Sequence, residues 1–160
     1  MGILTPLVNL TRRMGQRRAV ITFARKVVVP ADKVVARLTG GRLVTFGLKE
    51  LPTFLLTTTG RRSGQPRTVP VLYLPYGDEF IVAGSNFGQA HHPAWSGNLM
   101  ANPEASVNIR GKTIPVRAHL AEGEEREQLL AALKELWPAF GSYEQWSHRT
   151  LRIFRLTPST

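Results

Sequence analysis

The spacing of apolar and polar residues changes along the chain, and each change marks an element. Over the first forty residues, Leu7, Leu10, Met14, Val20, Phe23, Val27 and Val28 form a loose apolar stripe. Arg12, Arg13, Arg17, Arg18, Arg25 and Lys26 lie around it, a helical pattern. Pro30 interrupts it, and a short second helix is expected over 32–38, ended by Gly40-Gly41. After Pro52 the chain becomes β-rich. The stretches 54–59, 67–74 and 79–84 read as strands, with turns at 60–66 and at Pro75-Tyr76-Gly77-Asp78. A polar loop over 85–92 leads to Pro93, suited to the first position of a helix that reaches Ala101. Strands at 105–109 and 113–121 flank Arg110-Gly111-Lys112 as a second hairpin. A helix is expected over 124–137, acidic in its first turn, with Leu129, Leu130, Leu133 and Leu136 on one face. Residues 138–142 read as a loop and 151–156 as a last strand.

Strands arriving as hairpins argue against a doubly wound parallel sheet. The expected class is α+β, mainly β: a six-stranded antiparallel barrel or curled sheet with helices packed on it. The expected division is a basic helical segment over 1–40 and a barrel domain over 41–160.

Charge adds an asymmetry. The net charge is +10, yet residues 1–67 carry thirteen Lys and Arg against two Asp and Glu, while residues 68–160 carry eight against nine. A basic front half suggests an anionic partner: nucleic acid, anionic lipid or an anionic cofactor. No Cys is present, which removes disulfides and Cys-based zinc sites and fits a reducing cytoplasm. The apolar stretch 19–30 is broken by Arg25 and Lys26 and lacks a cleavage site, so no signal peptide is expected. No run approaches the ~20 apolar residues of a membrane span.

Three stretches carry candidate chemistry. In LLTTTGRRSGQPRTVP, residues 55–70, Gly60 and Gly64 permit backbone shapes that aim amides at an anion. Arg61, Arg62 and Arg67 add guanidinium forks that match phosphate, and Ser63 adds a hydroxyl. The bland alternative is a basic solvated turn. The P-loop pattern is absent, and a strand follows instead of a helix. In AGSNFGQAHHPAWSGN, residues 83–98, a Gly/Ser/Asn loop runs into a helix start, with Trp95 able to face a ring system and Asn98 able to bond polar atoms. A capped helix with a core Trp is the alternative. His91-His92 lacks a third ligand at metal spacing, so no metal is expected. In WPAFGSYEQW, residues 137–146, four aromatics in ten residues suit either a lid over an apolar pocket or core packing.

Taken together, these motifs resemble the deazaflavin (F420)-dependent nitroreductase family, the split-barrel F420-dependent oxidoreductases. The likeness runs from about Gly40 to Pro158, and it is the pair of motifs at their separation that is specific. The resemblance implies a six-stranded, FMN-binding-like split barrel and coenzyme F420 as cofactor. It implies that Arg61, Arg62 and Ser63 meet the cofactor's phosphate and glutamyl tail. Arg67, Thr68, Val69, Pro70, Val71 and Leu72 would line its side of the barrel. Ala83, Gly84, Ser85 and Asn86 would run beside the deazaflavin, with Ala94, Trp95, Ser96, Gly97 and Asn98 opposite. Trp137, Phe140 and Tyr143 would face the substrate, with Tyr143 or Ser85 as proton donor. Phe140 stands where related sequences often carry Tyr, which leaves their substrates in doubt for this chain.

The implied activity is hydride transfer from reduced F420 to a quinone, enone or nitroaromatic. An FMN-dependent split-barrel enzyme and a non-catalytic F420 carrier are the alternatives. A nucleic-acid-binding module is disfavoured because the aromatics cluster away from the arginines. The expected partner is a small apolar acceptor, and the protein a monomer or homodimer. The expected place is the cytoplasm, with peripheral contact of the basic N-terminal helix to the anionic inner membrane face as an option.

Overall fold

The computed structural model describes residues 19, 22, 26, 27, 29–39 and 52–159. Most of the long helix expected over the first residues lies outside them.

Six strands close into a barrel in the order β1-β2-β3-β6-β5-β4. They are β1 Thr53–Thr59, β2 Pro66–Tyr76, β3 Glu79–Ala83, β4 Glu104–Ile109, β5 Lys112–Leu120 and β6 Ile153–Pro158. Every pairing is antiparallel. The β1–β2, β2–β3 and β4–β5 contacts are hairpins. Closure comes from β1 on β4, β3 on β6 and β5 on β6, pairs far apart in sequence.

Alternation sorts the strand side chains into two layers. Phe54, Leu56, Val71, Val82, Val107, Val116, Phe154 and Leu156 fill the barrel, with Leu99 closing it. Phe54 stacks on Tyr73 with ring centroids 4.4 Å apart, and Phe80 meets both edge-on. Side chains of opposite parity, Leu72, Leu74, Ile81, Ala83 and Ile153, form a second cluster under two helices.

The α-helices fully within the described residues are α1 Val29–Leu38, α2 Ala94–Ala101, α3 Gly123–Leu136 and α4 Ala139–Ser147. In α3 the leucine stripe buries Leu129, Leu130 and Leu133, while Glu124 and Glu125 sit in the first turn, where the helix dipole favours acid. Truncating the fully buried Leu133 to Ala would cost ~2–5 kcal/mol.

Three local expectations are corrected. The helix expected over 32–38 begins at Val29, with Pro30 in its first turn, where a missing N–H costs nothing. Pro93 is the residue capping α2 and not its first helical residue. The expected loop over 138–142 is α4 for all but Pro138. Arg126 holds that helix in place: its Nε and Nη2 both donate to the Leu151 carbonyl at 3.1 Å, and Nη2 also pairs with Glu144.

Candidate functional site

The turn between β1 and β2 is built by its own backbone. Gly60 N–H donates to the Gln65 carbonyl and Gly64 N–H to the Gly60 carbonyl, each at 2.8 Å. Gly64 has φ 68°, the left-handed region that favours glycine. The Ser63 hydroxyl accepts from the Gln65 amide at 3.2 Å and lies 3.5 Å from Arg67 Nη2. The loop is therefore shaped before any ligand arrives.

This turn forms one wall of a cavity of about 460 Å³. Arg61, Arg62, Ser63, Arg67, Thr68 and Val69 line it from the turn and β2, and Ala94, Trp95 and Asn98 from α2. Register explains the mixture. Arg67 pairs with Thr58 and Val69 with Leu56, both barrel-facing, so Arg67 and Val69 sit at the barrel's open end. Arg37, in the last turn of α1, lines the same cavity. Sequence reasoning missed it, because no pattern links one arginine in a helical segment to a turn some 25 residues later. Among the described residues the cavity is lined by four guanidinium groups and no carboxylate.

Arg61 is fixed differently from its neighbours. Its Nη1 donates to the Ala94 carbonyl at 3.1 Å and to Asn98 Oδ1 at 3.2 Å, and its backbone N–H donates to the same oxygen at 3.2 Å. Asn98 Nδ2 in turn donates to the buried Thr58 hydroxyl at 3.0 Å.

Apart from Gly97, which Arg61 overlies, the remaining expected cofactor residues do not line this cavity. Pro70 and Leu72 have the outward parity of β2, and Leu72 packs against the outer cluster. Val71 is inside the barrel. Ala83 and Gly84 are buried at the end of β3. Ser96 is buried on α2, where its hydroxyl receives Arg152 Nη1 at 3.3 Å. Gly84 lies beside it: a side chain there would stand 3.4 Å from Ser96 Cβ. Helix α2 thus separates the arginine cavity from the 84–92 loop.

That loop is tied down by Arg149, a second residue the sequence did not single out. Arg149 donates to the carbonyls of Gly84, Ser85 and Gln89 at 3.0, 2.9 and 3.1 Å. Its Nη1 also meets His92 Nδ1 at 3.0 Å, so that ring nitrogen accepts. Burial first, then the positive charges of Arg152 and Arg149, hold His92 below its usual pKa, favouring the neutral ring. Asn86 donates to the His91 carbonyl at 3.0 Å.

Trp137, Phe140 and Tyr143 are not brought to the arginine cavity. All three are buried in the outer cluster. Trp137 Nε1 donates to the Tyr143 hydroxyl at 3.2 Å. Burial pushes the Tyr143 pKa up to about 12, against the opposing effect of that hydrogen bond. Helix α4 does press on the Ser85 side of the molecule: a side chain at Gly88 would stand 3.0 Å from Trp146 and 3.3 Å from Tyr143. Among the described residues no group of three or more His, Asp or Glu could hold a metal, and no helix is long and apolar enough to cross a membrane.

The profile of the F420H(2)-dependent quinone reductase family matches residues 30–158. The chain belongs to that family. A Mycobacterium tuberculosis protein named as a candidate F420H(2)-dependent quinone reductase is 34% identical over 110 residues, 69% of this chain and 92% of that protein. Another from the same organism, named an F420H(2)-dependent quinone reductase, is 39% identical over 67 residues, 42% of this chain and 45% of its own length. Among solved structures, an F420-H2 dependent reductase, FDR-A, superposes with TM-score 0.60 at 34% identity, covering 66% of this chain and 93% of that one. A structure described as a domain-swapped dimer gives TM-score 0.62 at 33% identity, covering 79% and 98%. The six-stranded barrel and the family assignment read from the sequence therefore hold.

Proposed function

We propose that this member of an F420-dependent reductase family seats the phosphate and glutamyl tail of reduced F420 against Arg61, Arg62, Arg67 and Arg37, and reduces a quinone-like acceptor. The observation that carries the reading is the cavity itself. Among the described residues, four guanidinium groups line one space without a carboxylate, beside Trp95 and Val69. That lining suits a ligand with several negative charges and an apolar ring.

When bound, F420H2 supplies a hydride. The chain's residues supply the rest. The arginines bind and orient through charge-assisted hydrogen bonds, which are stronger than neutral ones. Trp95 and Val69 exclude water from one side. Arg149 holds Gly84 and Ser85 by their carbonyls, so a ligand edge at this loop meets a shape already set. The proton that completes the reduction comes from solvent, Tyr143 or Ser85. A substrate-side role for Trp137, Phe140 and Tyr143 requires α4 to shift, because the present packing buries them.

Parallel fluorescence titrations with F420 and FMN, followed by mixing F420H2 with a quinone, test the reading. Tight F420 binding with acceptor-dependent oxidation supports it. Preference for FMN, or binding without turnover, sinks the F420-reductase assignment. Peripheral membrane contact through the basic front half is a further part of the proposal, motivated by its charge and by exposed Val34 and Leu38 on α1. Absence of flotation with anionic vesicles would remove it.

A further inference from the structure

We propose that Asn98 is a positioning residue: it presets Arg61 for an anionic ligand and does not itself touch that ligand. The inference rests on the reading that the arginine cavity holds the anionic end of F420.

The side chain of Asn98 has one acceptor oxygen and one NH₂ group, and the protein uses both. The oxygen takes two hydrogen bonds from Arg61, one from the backbone and one from Nη1, each at 3.2 Å. The NH₂ donates to Thr58 Oγ1 at 3.0 Å. Arg61 has only donors to offer, so the amide must present oxygen to it and nitrogen to Thr58. Thr58 is 1% exposed and sits in β1, inside the barrel, so the amide is anchored to a buried position of a paired strand. Asn98 itself is 4% exposed. Although it borders the cavity, its polar atoms point toward the protein.

Gly97 completes the arrangement. A Cβ there would stand 2.9 Å from Arg61 Nη1, 3.0 Å from Cζ and 3.3 Å from Nε. The guanidinium therefore lies across the bare backbone of α2. Glycine inside a helix costs ~1 kcal/mol relative to alanine, and this close approach is a physical reason for one here. With Nη1 held by Asn98 and Ala94, Nε and Nη2 have no hydrogen-bond partner among the described residues. They form the edge of the fork that suits two oxygens of a phosphate or carboxylate. Arg62 has no such anchor among the described residues and lies exposed. The turn thus carries one preset fork, and a fork already in place binds with less entropy loss.

The test is a cycle in the full-length chain, with F420 titrated by fluorescence into wild type, Asn98→Ala, Arg61→Ala and the double variant. Each single change is expected to weaken binding about tenfold, and the double change no more than the worse single, as for residues acting through one contact. Losses that multiply, or wild-type affinity in Asn98→Ala, would overturn the inference. Gly97→Ala guards against misfolding of the asparagine variants, because it keeps the Asn98–Thr58 bond and only takes Arg61's seat. It should match Arg61→Ala, and undiminished affinity would count against the proposal.

Hydrogen exchange of the Arg61 backbone amide provides a readout without ligand. It should accelerate in Asn98→Ala, and recover in Asn98→Asp, which keeps the acceptor oxygen. Unchanged exchange refutes the positioning role. If wild type bound no F420, the cofactor reading would fall. The amide exchange, and inorganic pyrophosphate titrated across the same variants, would still decide the role of Asn98.

Discussion

Arg149 reaches back 64 residues in sequence to donate from Nη2 to the Ser85 carbonyl at 2.9 Å. Its other donors take Gly84, Gln89 and His92, so one planar fork fixes the whole loop before α2. Lysine carries its donors on one nitrogen and cannot span acceptors spread around a planar guanidinium. Arg149→Lys should therefore behave almost like Arg149→Ala, with a loss of ~2–4 kcal/mol, the range for a partly buried charged network. Chemical denaturation measures the loss, and hydrogen exchange over 85–92 locates it. Full retention of stability in the lysine variant would contradict the account.

Arg62 gives the complementary case. It is exposed and lines the cavity. Arg62→Ala should weaken F420 binding by ~1–3 kcal/mol, as for loss of a charge-assisted hydrogen bond, with little change in unfolding temperature. Titration alongside a thermal melt checks both halves, and unchanged affinity would refute a clamp at this residue.

His92 sets a pH dependence. Its folded pKa lies below the usual 6.5. Below about 6.5 the unfolded chain takes up a proton that the folded chain resists, so the contribution is full above that pH and is lost as pH falls through the folded value. Replacing His92 by Gln should flatten the stability–pH curve in that acidic window. Urea unfolding of both proteins on either side of about pH 6.5 measures the difference. Identical slopes would mean that His92 does not titrate in this way.

Tyr143 is the acceptor for Trp137 Nε1. Tyr143→Phe leaves that buried donor without its partner and should cost ~1–3 kcal/mol of stability. If Tyr143 also serves the substrate side, turnover should change more than F420 affinity. Equal loss in both would argue against that role.

Much of this architecture was legible locally. Alternation fixed the strands because one face of each is buried in the barrel, as with Phe54, Leu56 and Thr58 on β1. The Arg110-Gly111 turn was readable because a glycine between two strand-like runs marks a hairpin, and φ of 51° and 88° at the two residues agrees with a tight one. Helix α4 was not readable. Pro138, Gly141 and a run of aromatics and serines favour no regular structure locally, and the helix is held by tertiary contacts from Arg126 and the outer cluster. The aromatic spacing of Trp137, Phe140 and Tyr143 could not distinguish a lid from a core. In the structure it is core. The arginine turn was visible as a motif, whereas Arg37, Arg149 and the Thr58–Asn98–Arg61 chain depend on barrel closure, which brings distant residues together without a sequence signal.

The most direct measurement is a crystal structure of the full chain with F420 bound. The account predicts the phosphate and glutamyl carboxylates within hydrogen-bonding distance of Arg61, Arg62 and Arg67, with the ring beside Trp95. F420 bound elsewhere on the barrel, or a cavity left empty at saturating cofactor, would contradict it.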